Sequence, residues 1–274
     1  DNALELVSPL VLETLSQNEV YYNQFAPRTS VEHIGLVDWA DIFVIAPISA
    51  NTISKAACGI ADNLLTSIIC AYISSKKPFL MAPAMNTGMW ENPFIEENIK
   101  KLKSIGVDFA NPETGFLACG TEGKGRLEDI EIIFEKSLRC LYQNKINNSK
   151  KLVVTLGGTR ESLDSVRCIT NFSSGKMGKE LLKWGYRLGF NVVGITTVEL
   201  NKKPYKIINV NSADEMLSAL KQEEFDILIM AAAVCDYKPK EKSDKKLSKE
   251  EIGENYTLQM VKNPDVVAEI AKNK

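Results

Sequence analysis

The chain has 274 residues, 45% hydrophobic and 25% charged, with a formal net charge of −2, enough for one large domain or two ordinary ones with cores of their own. The near-neutral balance leaves no electrostatic footprint for nucleic acid or an anionic membrane surface. No stretch approaches the roughly 20 apolar residues of a membrane span, and the opening residues 1–8 lack the basic and apolar regions of a signal peptide. The six cysteines, Cys58, Cys70, Cys119, Cys140, Cys168 and Cys235, form no C-x-x-C pair. They read as reduced thiols of a cytoplasmic protein rather than disulfides or a zinc site.

Short apolar runs predict strands at 41–47 (DIFVIAP), 78–83 (PFLMAP), 151–158 (KLVVTLGG), 191–197 (NVVGITT) and 225–233 (FDILIMAAA). Amphipathic stretches at 61–74, 92–105, 128–142, 175–188 and 213–223 predict helices between them. Strand–helix alternation of this kind predicts an α/β class, with two Rossmann-like, flavodoxin-like parallel-sheet domains. The polar, Asn-rich QNKINNSK at 143–150 reads as a linker between domains at 1–142 and 151–274. In such folds ligands bind beyond the C-terminal ends of strands.

The first strand runs into Pro47-Ile48-Ser49-Ala50-Asn51-Thr52. Ser49 is a good N-cap, and the free N–H groups of that first turn suit a phosphate or a flavin carbonyl; an ordinary capped helix carries the same residues. The second strand ends in Pro83-Ala84-Met85-Asn86-Thr87-Gly88-Met89-Trp90, where the Asn86 amide can bond a ligand carboxylate and the Met and Trp residues can equally be core. Three glycines and two cations in ACGTEGKGR (118–126) predict a mobile lid over an anionic ligand. Cys119 is the cysteine in that lid and the candidate reactive thiol; the other five are expected to pack. His33 is the one imidazole, placed ahead of a helical segment.

Together these motifs resemble the flavin-dependent cysteine decarboxylase family, over nearly all of 1–142. PISANT (47–52) is similar to its flavin-binding segment, PAMNTGMW (83–90) to its substrate clamp, and ACGTEGKGR to the flap that carries its essential cysteine. The resemblance implies FMN held by Ser49, Ala50, Asn51 and Thr52, and 4'-phosphopantothenoylcysteine as substrate. FMN would oxidise the cysteinyl end to a thioaldehyde, CO₂ would leave, and the reduced flavin would return a hydride. Asn86 would hold the carboxylate, His33 would act as base or orienter, and Cys119 would donate the last proton.

In the second domain, strand 151–156 ends in Gly157-Gly158-Thr159-Arg160, and Asn171-Phe172-Ser173-Ser174-Gly175-Lys176-Met177-Gly178 opens a helix. Small residues and backbone donors at a helix start suit phosphate, although G-K-M-G is no Walker A motif and a bare Rossmann turn has the same spacing. Ala231-Ala232-Ala233 lets a planar ligand approach the backbone, with Asp236 as acceptor for a ribose or a base amine. The charged stretch 238–250 reads as a solvated loop or as a lysine-rich flap over a triphosphate. Val261-Lys262-Asn263-Pro264-Asp265 precedes the last helix.

This half resembles the phosphopantothenate–cysteine ligase family, through GGTRE, VRCITNFSSGKMG, AAAVCDY and VKNPD. The resemblance implies CTP, accompanied by Mg²⁺, bound by Ala232, Asp236, Lys246, Asn263, Pro264, Asp265 and Val266. Asn171 would stabilise an acyl-cytidylate of 4'-phosphopantothenate on its way to cysteine, and Lys246 would assist its formation. The two families imply a bifunctional coenzyme A enzyme truncated at both ends, its ligase half incomplete, in trimers assembled up to dodecamers. A non-catalytic flavin-binding regulator of the same fold is the alternative. The absence of G-x-G-x-x-G argues against a nicotinamide dehydrogenase.

Overall fold

The computed structural model describes residues 2–24, 32–118, 120–143, 147–248 and 253–272. The chain forms two compact units, Asp1–Leu141 and Tyr142–Lys274.

Unit one runs α1 (Pro9–Ser16), α2 (Glu32–Trp39), β1 (Phe43–Ile48), α3 (Ala50–Cys58), α4 (Leu64–Ser75), β2 (Phe79–Pro83), α5 (Thr87–Trp90), α6 (Pro93–Ser104), β3 (Asp108–Phe109), β4 (Glu113–Phe116), β5 (Glu122–Arg126) and α7 (Ile130–Tyr142). Strands β1-β2-β3 form a parallel sheet in that order, and β4–β5 is an antiparallel hairpin. Every residue of β2 is buried, as expected for a strand covered on both faces. Its side chains alternate between two cores. Phe79 and Met81 pack with Ile53, Ile69, Tyr72 and Leu102, whereas Leu80 and Ala82 pack with Ala110, Ile133 and Cys140. Local chemistry sets the helix starts. Asn63 and Thr66 form a reciprocal capping box for α4, and Asn92 caps α6 ahead of a proline at its first position.

Unit two runs β6 (Lys151–Leu156), β7 (Arg160–Ser162), β8 (Cys168–Thr170), α8 (Lys176–Arg187), β9 (Asn191–Thr196), β10 (Lys206–Asn209), α9 (Ala213–Gln222), β11 (Ile227–Met230), β12 (Tyr237–Pro239), β13 (Met260–Lys262) and α10 (Val266–Ala271). The parallel sheet has the order β10-β9-β6-β11, so the chain reverses direction across the sheet between β6 and β11. That switch point is where a doubly wound sheet opens a crevice for ligands. Leu152, Val154 and Leu156 face Leu182 and Tyr186 of α8; Val153 faces Met216 and Leu220 of α9 and Val266 and Ile270 of α10. Gly178 and Gly185 let α8 lie close on β6, since an added Cβ would sit 2.3 Å from Leu156 Cβ and 2.5 Å from Leu152 Cδ2. The fold is thus the predicted α/β class with Rossmann-like parallel sheets.

The structure adds elements the sequence did not predict, among them β3, β10 and the antiparallel pairs β4–β5, β7–β8 and β12–β13. It also corrects two readings. His33 lies inside α2 rather than ahead of it. Of the five cysteines expected to pack, Cys58, Cys70 and Cys168 are exposed, and only Cys140 and Cys235 are buried.

Candidate functional site

In unit one the ends of β1 and β2 are tied together, Ala84 N–H donating to Ile48 O at 3.1 Å. Beyond β1, Ser49 is extended (φ −86°, ψ 160°) and its Oγ accepts from Thr52 N–H, capping α3. Ala46, Pro47, Ser49 and Asn51 are exposed, at the end of β1 and the start of α3. Ala50 is buried in the core, so it offers a ligand no side-chain contact; Thr52 is half-buried.

Beyond β2, Asn86 is exposed and caps α5, its Oδ1 accepting from Gly88 N–H at 2.9 Å. Here the β4–β5 hairpin meets the loop. Met85 N–H donates to Gly125 O at 2.9 Å. A Cβ at Gly125 would lie 2.0 Å from Met85 O, and one at Gly123 would lie 2.2 Å from Thr87 Oγ1. Lys124 Nζ stands 5.8 Å from the Trp90 ring centroid. The predicted mobile lid over 118–126 is therefore corrected: residues 122–126 are a strand fastened to the Asn86 loop, because Gly125 lets the backbones touch and Gly123 leaves room for the Thr87 side chain. The hairpin closes through Leu117 N–H to Thr121 O (2.9 Å) and Gly120 N–H to Leu117 O (3.0 Å). Cys119 lies outside the described residues. His33 is half-buried on α2, which packs against α4.

In unit two the strand ends converge on the start of α8. Gly157 (φ +88°) follows β6, and an added Cβ there would meet Thr197 Oγ1 at 2.2 Å. Gly175 (φ +69°) is the N-cap of α8 and gives no side-chain cap, leaving the first-turn N–H groups of a twelve-residue helix to a ligand or water. Thr197 is 6% exposed, and its Oγ1 has no hydrogen-bond partner among the described residues. The sequence reading missed Thr197; a polar residue ending a strand buried on both faces was the available signal.

The Ala231–Asp236 segment passes alongside. Ala233 N–H donates to Gly157 O at 2.7 Å, and Thr159 N–H to Ala233 O at 3.1 Å. Asn171 is exposed, and its Nδ2 donates to the carbonyls of Ala233 (3.4 Å) and Val234 (3.1 Å). The amide expected to face an intermediate thus braces the neighbouring loop. Asn263 is buried; its N–H donates to Asp236 O and its Nδ2 to Cys235 O, each at 2.8 Å, while its Oδ1 has no partner among the described residues. Asp236 and Lys246 are exposed, and Ala232 and Pro264 half-buried. Asp265 caps α10 through Ala268 N–H (2.9 Å), and Val266 is 3% exposed in the core. The Val266 side chain is therefore unable to touch a nucleotide. Among the described residues no group of three His, Cys, Asp or Glu side chains could hold a metal, and no helix is long and apolar enough to cross a membrane. The Cys140 thiol, buried and donating to Asp108 at 3.3 Å, is pushed up by desolvation and is unreactive.

The flavoprotein family model matches residues 1–141, and the model for the DNA/pantothenate metabolism flavoprotein C-terminal domain matches 147–274. The chain is 41% identical to the coenzyme A biosynthesis bifunctional protein CoaBC of Borreliella burgdorferi, over all of this chain and 70% of that protein. It is 37% identical to the protein of the same description from Bacillus subtilis, over all of this chain and 68% of that one. Among solved structures, a PPC decarboxylase mutant complexed with pantothenoylaminoethenethiol is 40% identical, covering 43% of this chain and 68% of its own, with a TM-score of 0.41. The chain belongs to the flavoprotein family, as a member of the group formed by these coenzyme A biosynthesis proteins.

Proposed function

We propose that unit one is an FMN-dependent decarboxylase of 4'-phosphopantothenoylcysteine, and that unit two is the nucleotide-binding part of a CTP-dependent phosphopantothenate–cysteine ligase. One observation supports the decarboxylase reading above the rest. The Met85–Gly125 backbone bond couples the loop of Asn86 to the hairpin whose turn includes Cys119 in sequence, so clamp and proton donor belong to one assembly. The donor set fits FMN: the exposed Asn51 amide and the first turn of α3 would hold it, next in the chain to the exposed Ala46 and Pro47. When bound, FMN supplies two-electron redox chemistry at the cysteinyl end of the substrate. Asn86 orients the carboxylate that leaves as CO₂, His33 takes or orients the proton at the oxidation step, and Cys119 returns a proton to the product.

In unit two the uncapped start of α8 suits the triphosphate of CTP, which would bring Mg²⁺ with it. Asp236 suits the ribose and Lys246 the developing charge on the phosphates, while the buried Asn263 would hold the Cys235–Asp236 segment in place through its two bonds to it. Asn171 would meet the acyl-cytidylate by turning its amide away from two rather long bonds. The discriminating experiment is an absorption spectrum of the purified full-length protein, followed by CO₂ release from 4'-phosphopantothenoylcysteine and pyrophosphate release from CTP. A flavin band with both activities is expected. A flavin band without CO₂ release would instead leave the regulatory flavoprotein.

A further inference from the structure

The Asp164 side chain is fully buried, yet none of the motifs above uses it. It sits in the turn between β7 and β8, and both oxygens are occupied. Oδ1 accepts from Val166 N–H (2.9 Å) and Arg167 N–H (2.7 Å); Oδ2 accepts from Arg167 Nε (2.8 Å) and Nη2 (2.5 Å). The last donor comes from outside the turn. Leu247 N–H reaches Asp164 Oδ2 at 3.2 Å, and Leu247 O accepts from Arg167 Nη2 at 3.1 Å. Ser243 N–H adds a bond to Leu163 O at 3.1 Å. The residue that follows Lys246 is thereby gripped by both its backbone groups, and the lysine-rich segment is pinned to the turn of the β7–β8 hairpin, whose second strand runs on into Asn171. The guanidinium and backbone donors hold the Asp164 carboxyl far below the usual carboxylate range, so the clamp is ionised at every working pH.

We infer that Asp164 is the positioning residue of the lysine flap, fixing Lys246 over the site where unit two takes its nucleotide; the inference rests on the ligase reading above. A carboxylate suits the place because every neighbour is a donor. An asparagine there keeps the size but would turn an N–H toward Arg167 and Leu247 or leave them unpaired.

The test uses the full-length protein with Asp164→Asn, Lys246→Ala, the double variant, and Leu247→Ala, which keeps the backbone clamp. Limited trypsin digestion reads the flap directly: Asp164→Asn is expected to speed cleavage after Lys245 and Lys246 about tenfold, and Leu247→Ala to leave it unchanged. In pyrophosphate release, Asp164→Asn is expected to lose about tenfold in kcat/KM for CTP, and the double variant to be no worse than Lys246→Ala alone, because the carboxylate acts through the lysine. Additive losses would overturn the positioning role, and unchanged cleavage would overturn the clamp itself. A wild-type protein that releases no pyrophosphate while Asp164→Asn is still cleaved faster would sink the ligase reading and leave the clamp standing.

Discussion

Asn86 caps α5 through Oδ1 and is exposed, so the proposed contact with a substrate carboxylate would not have to give up the cap. Asn86→Asp preserves the cap and sets a second carboxylate against the substrate's. Its KM for 4'-phosphopantothenoylcysteine is expected to rise about a hundredfold, the equivalent of roughly 2.7 kcal/mol, in steady-state CO₂ assays; an unchanged KM would make 83–90 merely structural. Cys119→Ser removes only the last proton donor. Rapid-mixing absorbance should then show a flavin that bleaches with substrate and fails to recover, whereas normal turnover would remove the thiol from the chemistry. Glu223 is a contrasting case, far from both chemistries in role. It pairs with Lys151 (2.7 Å) and with Lys206 at the N-terminal ends of β6 and β10, and these lysines lower its pKa. A carboxylate with a lowered folded pKa stabilises fully above its unfolded value of roughly 4.3 and loses that contribution as pH falls through the folded one. Glu223→Gln is expected to cost about 1 kcal/mol after solvent screening, seen as a few degrees in Tm at pH 7 and as no difference near pH 2. Pyrophosphate release at 25 °C should be untouched.

At the scale of elements, the β4–β5 hairpin was the least legible part of unit one. Residues 118–126 are polar and glycine-rich, without the alternation that marks a strand. Residues 122–126 become a strand because residues 113–116 pair with them and because Gly123 and Gly125 allow contact with the Asn86 loop. Gly125→Ala meets Met85 O and a φ of +147°, so it should detach the hairpin at a cost of about 2–4 kcal/mol. CO₂ release should fall at least tenfold while the flavin absorbance persists, since residues 46–51 take no part in the Gly125–Met85 contact. A Gly125→Ala protein with full activity would show that the coupling of clamp and hairpin is dispensable. The strands β2, β6 and β9 were legible for the opposite reason: each is buried along nearly its whole length, so its apolar run is written in the chain itself.

Across the whole molecule, each unit has its own core and its own row of strand ends. Asn171→Asp adds charge beside the proposed phosphate site and puts a carboxylate against the carbonyls of Ala233 and Val234. It is expected to abolish pyrophosphate release and leave CO₂ release within about twofold on the same preparation; equal loss of both would indicate misfolding. The sequence by itself determined the α/β class, the positions of the long helices and covered strands, and the glycine turns, because periodicity and turn chemistry are local properties. It also located the Ser49 cap and the family motifs. Only the tertiary structure decided which candidates can reach a ligand. Ala50 and Val266 were placed in binding segments, yet their side chains are core, and Asn171 spends its amide on a neighbouring loop. The environments of Thr197 Oγ1 and Asn263 Oδ1, without a partner among the described residues, and the Asp164 clamp emerged the same way, since a contact across some eighty residues depends on which segments meet, and pairing at that range is set by packing rather than by spacing along the chain.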